Sequence, residues 1–133
     1  MVLTIPTPVA EVCDRYTIAQ LKMERLPASE DPDSFAKQVG FYAGGIDWSN
    51  TTLTALVVEL YNINGKMWNA EFAIRQGQDE GLGLDEIGKR ALLIRDLNKE
   101  RIGIKNAICD LVGDGFKDCK MNSTTYAANS SKD

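Results

Sequence analysis

Apolar residues recur every three or four positions along most of the chain, which is the spacing of one face of an α-helix. In the first such segment these residues are Val9, Val12, Tyr16, Ala19, Met23 and Leu26. Thr7 before Pro8 is a typical N-cap followed by a first helical residue, and Pro27 ends the segment. The pattern predicts an amphipathic helix from about Pro8 to Leu26.

Two further helices follow a polar, proline-containing linker that begins at Pro27. The shorter one is predicted from Ser34 to Ala43, where Gly44 and Gly45 end it. The longer one begins after Ser49 or Asn50, either of which can cap it, and ends at Gly77. Its apolar face consists of Leu53, Leu56, Leu60, Ile63, Met67, Ala70 and Ile74.

A last helix is predicted from about Asp85 to Val112, before a Gly-Asp-Gly turn. Its apolar face consists of Leu93, Leu97, Ile104, Ile108 and Leu111. Glycines inside helices cost about 1 kcal/mol relative to alanine. We therefore expect Gly65, Gly88 and Gly103 to mark places of close helix packing.

These segments predict an all-α fold: an antiparallel helical bundle of three long helices and one short helix, with extended termini. Residues 1–121 are predicted to form a single helical domain, and residues 122–133 a flexible polar tail. Only residues 2–5 and 116–121 have an extended pattern, and these ends could reach another subunit.

Composition excludes several kinds of function. The chain has 133 residues, a formal net charge of −4 and no histidine, so nonspecific nucleic-acid binding and histidine-based catalysis are not expected. The three cysteines are far apart, and the N-terminus has no basic or apolar leader pattern. These features predict a cytoplasmic protein without metal, cofactor or membrane span.

Polar residues lie beside the apolar faces of the three long helices, where a helix that only needs burial would not place them. The first helix contributes Asp14, Lys22 and Arg25; the third contributes Asn64, Trp68, Glu71 and Arg75; the last contributes Asn98, Arg101 and Lys105. If the helices pack by their apolar faces, these side chains could converge on one cleft.

Such a cleft would hold five cations against two anions on a chain that is acidic overall. One interpretation is a pocket for a phosphate- or carboxylate-bearing ligand, in which arginines grip the oxygens and Trp68 or Tyr61 stacks on a flat ring. The other is structural: Asp14 and Glu71 pair with nearby arginines while the remaining cations reach water. Trp68 alone would also fit a core or an interface.

Three functions remain open at this point. The first is a non-catalytic binding module for a phosphorylated or nucleotide-like ligand, which would serve sequestration or sensing. The second is a structural or adaptor homo-oligomer without a ligand. The third is a metal-dependent hydrolase acting through Glu59, Glu71 and Asp14, although these carboxylates lack the close spacing of a magnesium site.

Three strings carry a resemblance to a known family: residues 14–18 with 21–26; Asn64, Trp68, Glu71 and Arg75; and residues 97–101 with Lys105 and Asn106. Their combination resembles a family of small, all-helical, functionally uncharacterised proteins of bacteria and bacteriophages, some of whose bacterial relatives occur near glycosyltransferase genes. The resemblance implies that the three strings belong together, and it implies no established activity. The segment from Pro27 to Trp48 and the tail lie outside it.

Overall fold

Four α-helices account for nearly all of the secondary structure in the computed structural model, which describes residues 3–27 and 31–113. They are α1 (Val9–Arg25), α2 (Pro32–Ala43), α3 (Thr51–Asp79) and α4 (Leu84–Val112). No strand occurs among these residues, and residues 3–7 have no regular structure. The predicted helical bundle with three long helices and one short helix is confirmed, whereas residues 116–121 and the tail 122–133 lie outside the described residues.

Helix ends follow local side-chain chemistry. Asn50 accepts a hydrogen bond from the backbone N–H of Leu53 at 3.0 Å, as its N-cap position predicts. Asp31 does the same for Ser34 at 3.2 Å, so α2 begins at Pro32, two residues before the predicted start. Proline at the first helical position loses no hydrogen bond, which explains why it begins the helix here.

Gly77 does not end α3, contrary to the prediction. The helix continues to Asp79, and the chain turns instead at Gly81, whose φ of 73° favours glycine. A Cβ on Gly77 would lie 2.8 Å from Arg90 Nη1 and 2.9 Å from Leu82 Cδ1. A larger residue at position 77 would require side chains of the loop and of α4 to shift, because they approach the helix backbone there.

Helix α3 and helix α4 form a long hairpin, with 29 residues in each arm and a short loop between them. At about 1.5 Å per residue each arm spans roughly 44 Å, whereas the 17 residues of α1 span roughly 26 Å. Helix α1 packs against both arms, and α2 packs only against α1 among the described helices. Helix α1 is therefore the middle element of the fold.

The middle position of α1 corrects its predicted apolar face. Ala10, Cys13, Thr17 and Leu21 are buried, while Met23 is 42% exposed. Side chains of the predicted face, such as Val12 and Tyr16, are partly buried against the core. Because α1 packs on two sides, its buried surface is wider than the single stripe that the spacing of apolar residues predicted.

The loop end of the hairpin has a thin core. Ala70 is the only residue of the buried hydrophobic core between residues 70 and 96, all of which the structure describes. Phe72, Leu84, Leu92 and Leu93 are exposed there, so the predicted inward position of Leu93 is wrong. The likewise predicted Leu111 is 40% exposed at the other end of α4. These apolar side chains face water because no further helix of the described chain covers them.

The three helical glycines differ in their surroundings. A Cβ on Gly65 would lie 3.2 Å from Arg25 Nη2, so α1 does pack closely at that point. A Cβ on Gly88 or Gly103 would meet no atom within 4 Å. The expected close packing is therefore confirmed only at Gly65 within the described chain.

None of the described helices combines the length and the apolar run that crossing a membrane would require.

Candidate functional site

The ten predicted site residues fall into two groups and one outlier. Asp14, Asn64, Asn98, Arg101 and Lys105 belong to a set of polar side chains between α1, α3 and α4, which we call the polar cluster. Arg25, Trp68, Glu71 and Arg75 line an open cavity near the end of α1. Lys22 is half-buried and does not line that cavity. The sequence predicted one cleft, and the structure separates the residues into these two places.

Asp14 is the centre of the polar cluster. Its side chain accepts hydrogen bonds from Arg101 Nε at 3.0 Å and from Arg101 Nη2, which binds its second oxygen. Asn64 Nδ2 donates a third hydrogen bond to Asp14 Oδ1, also at 3.0 Å. One carboxylate, only 3% exposed, thus joins α1 to both arms of the hairpin.

Neighbouring side chains complete the polar cluster. Asn64 Nδ2 also donates to Thr17 Oγ1 at 2.9 Å, and Thr17 donates to the backbone carbonyl of Asp14 at 2.8 Å. On the other side, Arg101 Nη1 donates to Asn98 Oδ1 at 3.1 Å. Each polar atom therefore has a defined orientation that depends on its neighbours.

Lys105 is a buried cation whose charge is balanced by α1. Its Nζ forms an ion pair with Glu11 Oε1, and the lysine side chain is only 9% exposed. Together with the ion pair between Arg101 and Asp14, this contact sets two cations against two anions. The polar cluster consequently has no net formal charge.

The pKa of Asp14 lies below its ordinary value of 3.8. Burial by itself would raise this pKa, because it disfavours the charged carboxylate. The hydrogen bonds from Arg101 and Asn64, together with the charges of Arg101 and Lys105, outweigh burial and lower it. Asp14 is therefore ionised throughout the neutral and mildly acidic range.

Hydrogen bonding in the polar cluster is complete. No buried side-chain nitrogen or oxygen in the described residues lacks a partner. The charges of Arg101 and Lys105 are therefore balanced within the protein. The pocket predicted from the sequence would instead require both cations to face a ligand. The structure matches the structural interpretation for this group, with Asp14 pairing with the nearest arginine of α4.

The cavity near the end of α1 has a different character. Arg25, Leu26 and Pro27 form one wall, and Trp68, Glu71, Phe72 and Arg75 of α3 form the other. Its volume is about 450 Å³, which lies in the range of small-molecule sites. Apolar side chains and two arginines share the lining, so the cavity offers both stacking surface and positive charge.

Arg25 is held in place at the cavity wall. Its Nη1 donates to the backbone carbonyl of Gly65 at 3.3 Å and to Asn69 Oδ1 at 2.7 Å. Neither acceptor carries a charge, so the positive charge of the guanidinium is not neutralised by these contacts. The close approach of Arg25 also accounts for the glycine at position 65.

Glu71 and Arg75 are one helical turn apart, with the acidic residue on the N-terminal side, which is the favourable order for an ion pair. No ion pair forms between them, and neither side chain bonds another residue that the structure describes. Both side chains line the cavity instead. Among the described residues, none occupies their polar groups.

Two other cavities suit an anion less well. A groove of about 500 Å³ between α3 and α4 is lined by Glu59, Lys66 and Glu100, so its charge is negative. A cavity of about 440 Å³ between the N-terminal segment and α2 has Arg15 as its only charged lining residue. The cavity near the end of α1 has one glutamate, but its two arginines can contact the same ligand and an indole ring lies beside them.

The carboxylates proposed for a hydrolase lie in separate places. Asp14 is in the polar cluster, Glu71 lines the cavity near the end of α1, and Glu59 lines the groove between α3 and α4. No group of three potential metal ligands occurs among residues 3–27 and 31–113. The three carboxylates of the hydrolase hypothesis therefore do not share one site.

Sequence reasoning missed three partners of the predicted residues. Glu11 lies three positions before Asp14 and Thr17 lies three after it, so helical spacing could have placed both beside Asp14. Asn69, the partner of Arg25, gave no such signal. Trp48, which the sequence did not assign to the site, packs on Tyr16 and donates from Nε1 to the carbonyl of Ala43, at the end of α2.

No protein-family model matches the chain, and the searches found no significant similarity to curated proteins or to solved structures. The resemblance to a bacterial and bacteriophage family therefore stays a prediction from the three sequence strings.

Proposed function

We propose that this chain is a non-catalytic binding module for a small anionic molecule with a flat ring, such as a phosphorylated or nucleotide-like metabolite. The binding site is the cavity lined by Arg25, Trp68, Glu71 and Arg75. Binding there would serve sequestration or sensing of the ligand, in the cytoplasm of a bacterium or of a phage-infected host.

One observation carries this proposal: Arg75 shares a cavity with Trp68 and Arg25 and has no ion-pair partner among the described residues. Guanidinium groups bind phosphate and carboxylate oxygens through two parallel hydrogen bonds. An indole ring provides a large, flat stacking surface. A ligand that has both an anionic group and an aromatic ring would use both features at once.

The polar cluster supports the ligand site indirectly. It fixes α1 against both arms of the hairpin, and α1 carries Arg25 at its C-terminal end. Within the ligand hypothesis, Asp14, Asn64, Asn98, Arg101 and Lys105 therefore position the helices that line the cavity. They do not need to touch the ligand.

A thermal-shift assay with a panel of nucleotides and sugar phosphates tests this function. A ligand that binds only the folded state raises the melting temperature, and the rise grows with the ratio of ligand concentration to Kd. We expect at least one member of the panel to stabilise the wild-type protein and to lose that effect in Arg75→Leu. Arg95→Leu, which removes an exposed arginine of α4 outside the cavity, is the matched control and should keep the shift.

A second candidate function is a structural homo-oligomer. The outward surface of α4 has Leu92 at 51% exposure, and space is open above Gly88 and Gly103. Interior helical glycines reduce stability, and close approach of another helix would explain their presence. A second copy packed on this surface would cover Leu92 and both glycines.

A further inference from the structure

We infer that the ligand of the cavity carries adjacent N–H donors on one edge of its ring, in addition to an anionic group, as a guanine nucleotide does. This inference rests on the proposed function, because it concerns the same cavity. The inference specifies which kind of ring the cavity would select, which the proposed function leaves open.

Glu71 supplies the first argument. A carboxylate in a site for an anionic ligand repels the anionic group. Its presence is favourable only if it binds another part of the ligand. Glu71 lines the cavity between the positions of Trp68 and Arg75 along α3, and no described cation neutralises it. An ionised carboxylate only accepts hydrogen bonds, and its two oxygens can accept two parallel N–H groups. The group it best fits is therefore a pair of adjacent ring N–H donors.

The end of α1 supplies a second argument that does not depend on Glu71. The last carbonyl groups of a helix have no intrahelical donors and carry the negative end of the helix dipole. The backbone of Leu26 is extended, so the chain leaves the helix there, and Pro27 has no N–H to offer the helix end. Leu26 and Pro27 line the cavity, which places this acceptor-rich helix end beside it.

The lining therefore divides by chemistry. Arg25 and Arg75 are pure donors and suit phosphate oxygens, whereas Glu71 and the end of α1 are pure acceptors and suit N–H groups. Trp68 lies one turn before Glu71 on the same helix, so a ring stacked on its indole would present an edge to the carboxylate. A ligand with acceptors only, such as inorganic phosphate, would leave Glu71 unmatched.

Three purine nucleotides differ in the required edge, and adenine also has a 6-amino group where the other two bases have a 6-oxo group. Guanine has N1–H and a neighbouring 2-amino group, hypoxanthine keeps only N1–H, and adenine has an acceptor at N1 that a carboxylate repels. A well-formed bidentate contact to a base edge discriminates by about tenfold or more in affinity. We therefore expect GMP to bind more tightly than IMP, and IMP more tightly than AMP.

Isothermal titration of the full chain with GMP, IMP and AMP tests this order. We expect GMP to bind about tenfold more tightly than AMP, and Glu71→Gln to reduce that ratio to about threefold or less. Glu59→Gln, which changes an exposed glutamate of the same helix outside the cavity, should keep the wild-type ratio. Unchanged melting temperatures would verify that both variants are folded.

The outcomes separate the two proposals. Equal binding of GMP and AMP by the wild-type protein, or a preference for GMP that survives in Glu71→Gln, would overturn the inference about the ring edge and leave the binding function standing. Absence of binding by all three nucleotides and by the remaining panel of phosphorylated metabolites would overturn both.

Discussion

Arg101 binds Asp14 through two hydrogen bonds, from Nε to Oδ1 at 3.0 Å and from Nη2 to Oδ2, across the contact between α4 and α1. The two residues are 87 positions apart in sequence, and Asp14 is almost fully buried. The contact sets how α1 is placed on the hairpin, and through α1 it determines where Arg25 meets the cavity.

Removing either member of this pair should destabilise the protein strongly. Arg101→Leu leaves a buried carboxylate without its main partner, and such changes cost about 3–5 kcal/mol. The double variant Asp14→Leu/Arg101→Met removes both charges, so its loss should be clearly smaller than the sum of the single losses. Urea unfolding followed by circular dichroism measures all three values. Additive losses would mean that the two side chains do not interact.

Stability should depend on pH through Asp14. Because its pKa is lower in the folded protein than the ordinary 3.8, its contribution is fully present above that value and is lost as the pH falls through the folded pKa. Asp14→Asn has no ionisable group at this position. The difference in unfolding free energy between the wild-type protein and Asp14→Asn should therefore shrink as the pH falls. Urea titrations at several pH values below about 5 measure this difference, which would stay constant if Asp14 were not responsible.

Gly77→Ala should destabilise the protein although alanine favours helices. The added methyl group would press on Arg90 and Leu82, and overpacking of this kind costs about 1–3 kcal/mol. Gly88→Ala is the matched comparison on α4, where nothing within the chain opposes a methyl group. Thermal unfolding of both variants measures the contrast, and a stabilising Gly77→Ala would contradict the close approach.

Gly88→Ala also tests the second candidate function. If the outward surface of α4 is open, the substitution should raise stability by about 1 kcal/mol, because it adds helix propensity at no steric cost. If a second copy packs there, Gly88→Ala and Leu92→Asp should both shift sedimentation equilibrium towards monomer. A wild-type protein that is monomeric at all concentrations would exclude this oligomer.

Helix positions were predictable from the sequence because apolar spacing and caps are local. Asn50, for example, caps α3 in the predicted place. The end of α3 was not predictable, because Gly77 is explained by contacts with Leu82 and Arg90 that only the folded hairpin creates. The two-sided burial of α1 also depends on where α2 packs.

The predicted site residues show the same division between local and tertiary information. Helical spacing grouped Asn64, Trp68, Glu71 and Arg75 on one side of α3. The last three line one cavity, whereas Asn64 belongs to the polar cluster. Spacing could not tell which cations would be neutralised by other helices. Asp14 meets Arg101 only because α1 packs across α4, and that contact assigns Arg101 a structural role.

Two-dimensional NMR of the tryptophan indole N–H signals tests the central claim most directly. The chain has two tryptophans, and Trp48→Phe assigns the two signals. Titration with GMP should move the Trp68 signal. The Trp48 signal should stay in place, because Trp48 contacts Ala43 of α2 and Tyr16 and does not line the cavity. A nucleotide or sugar phosphate that stabilises the protein in the thermal-shift assay and yet leaves the Trp68 signal fixed at saturation would contradict the assignment of the cavity as the binding site.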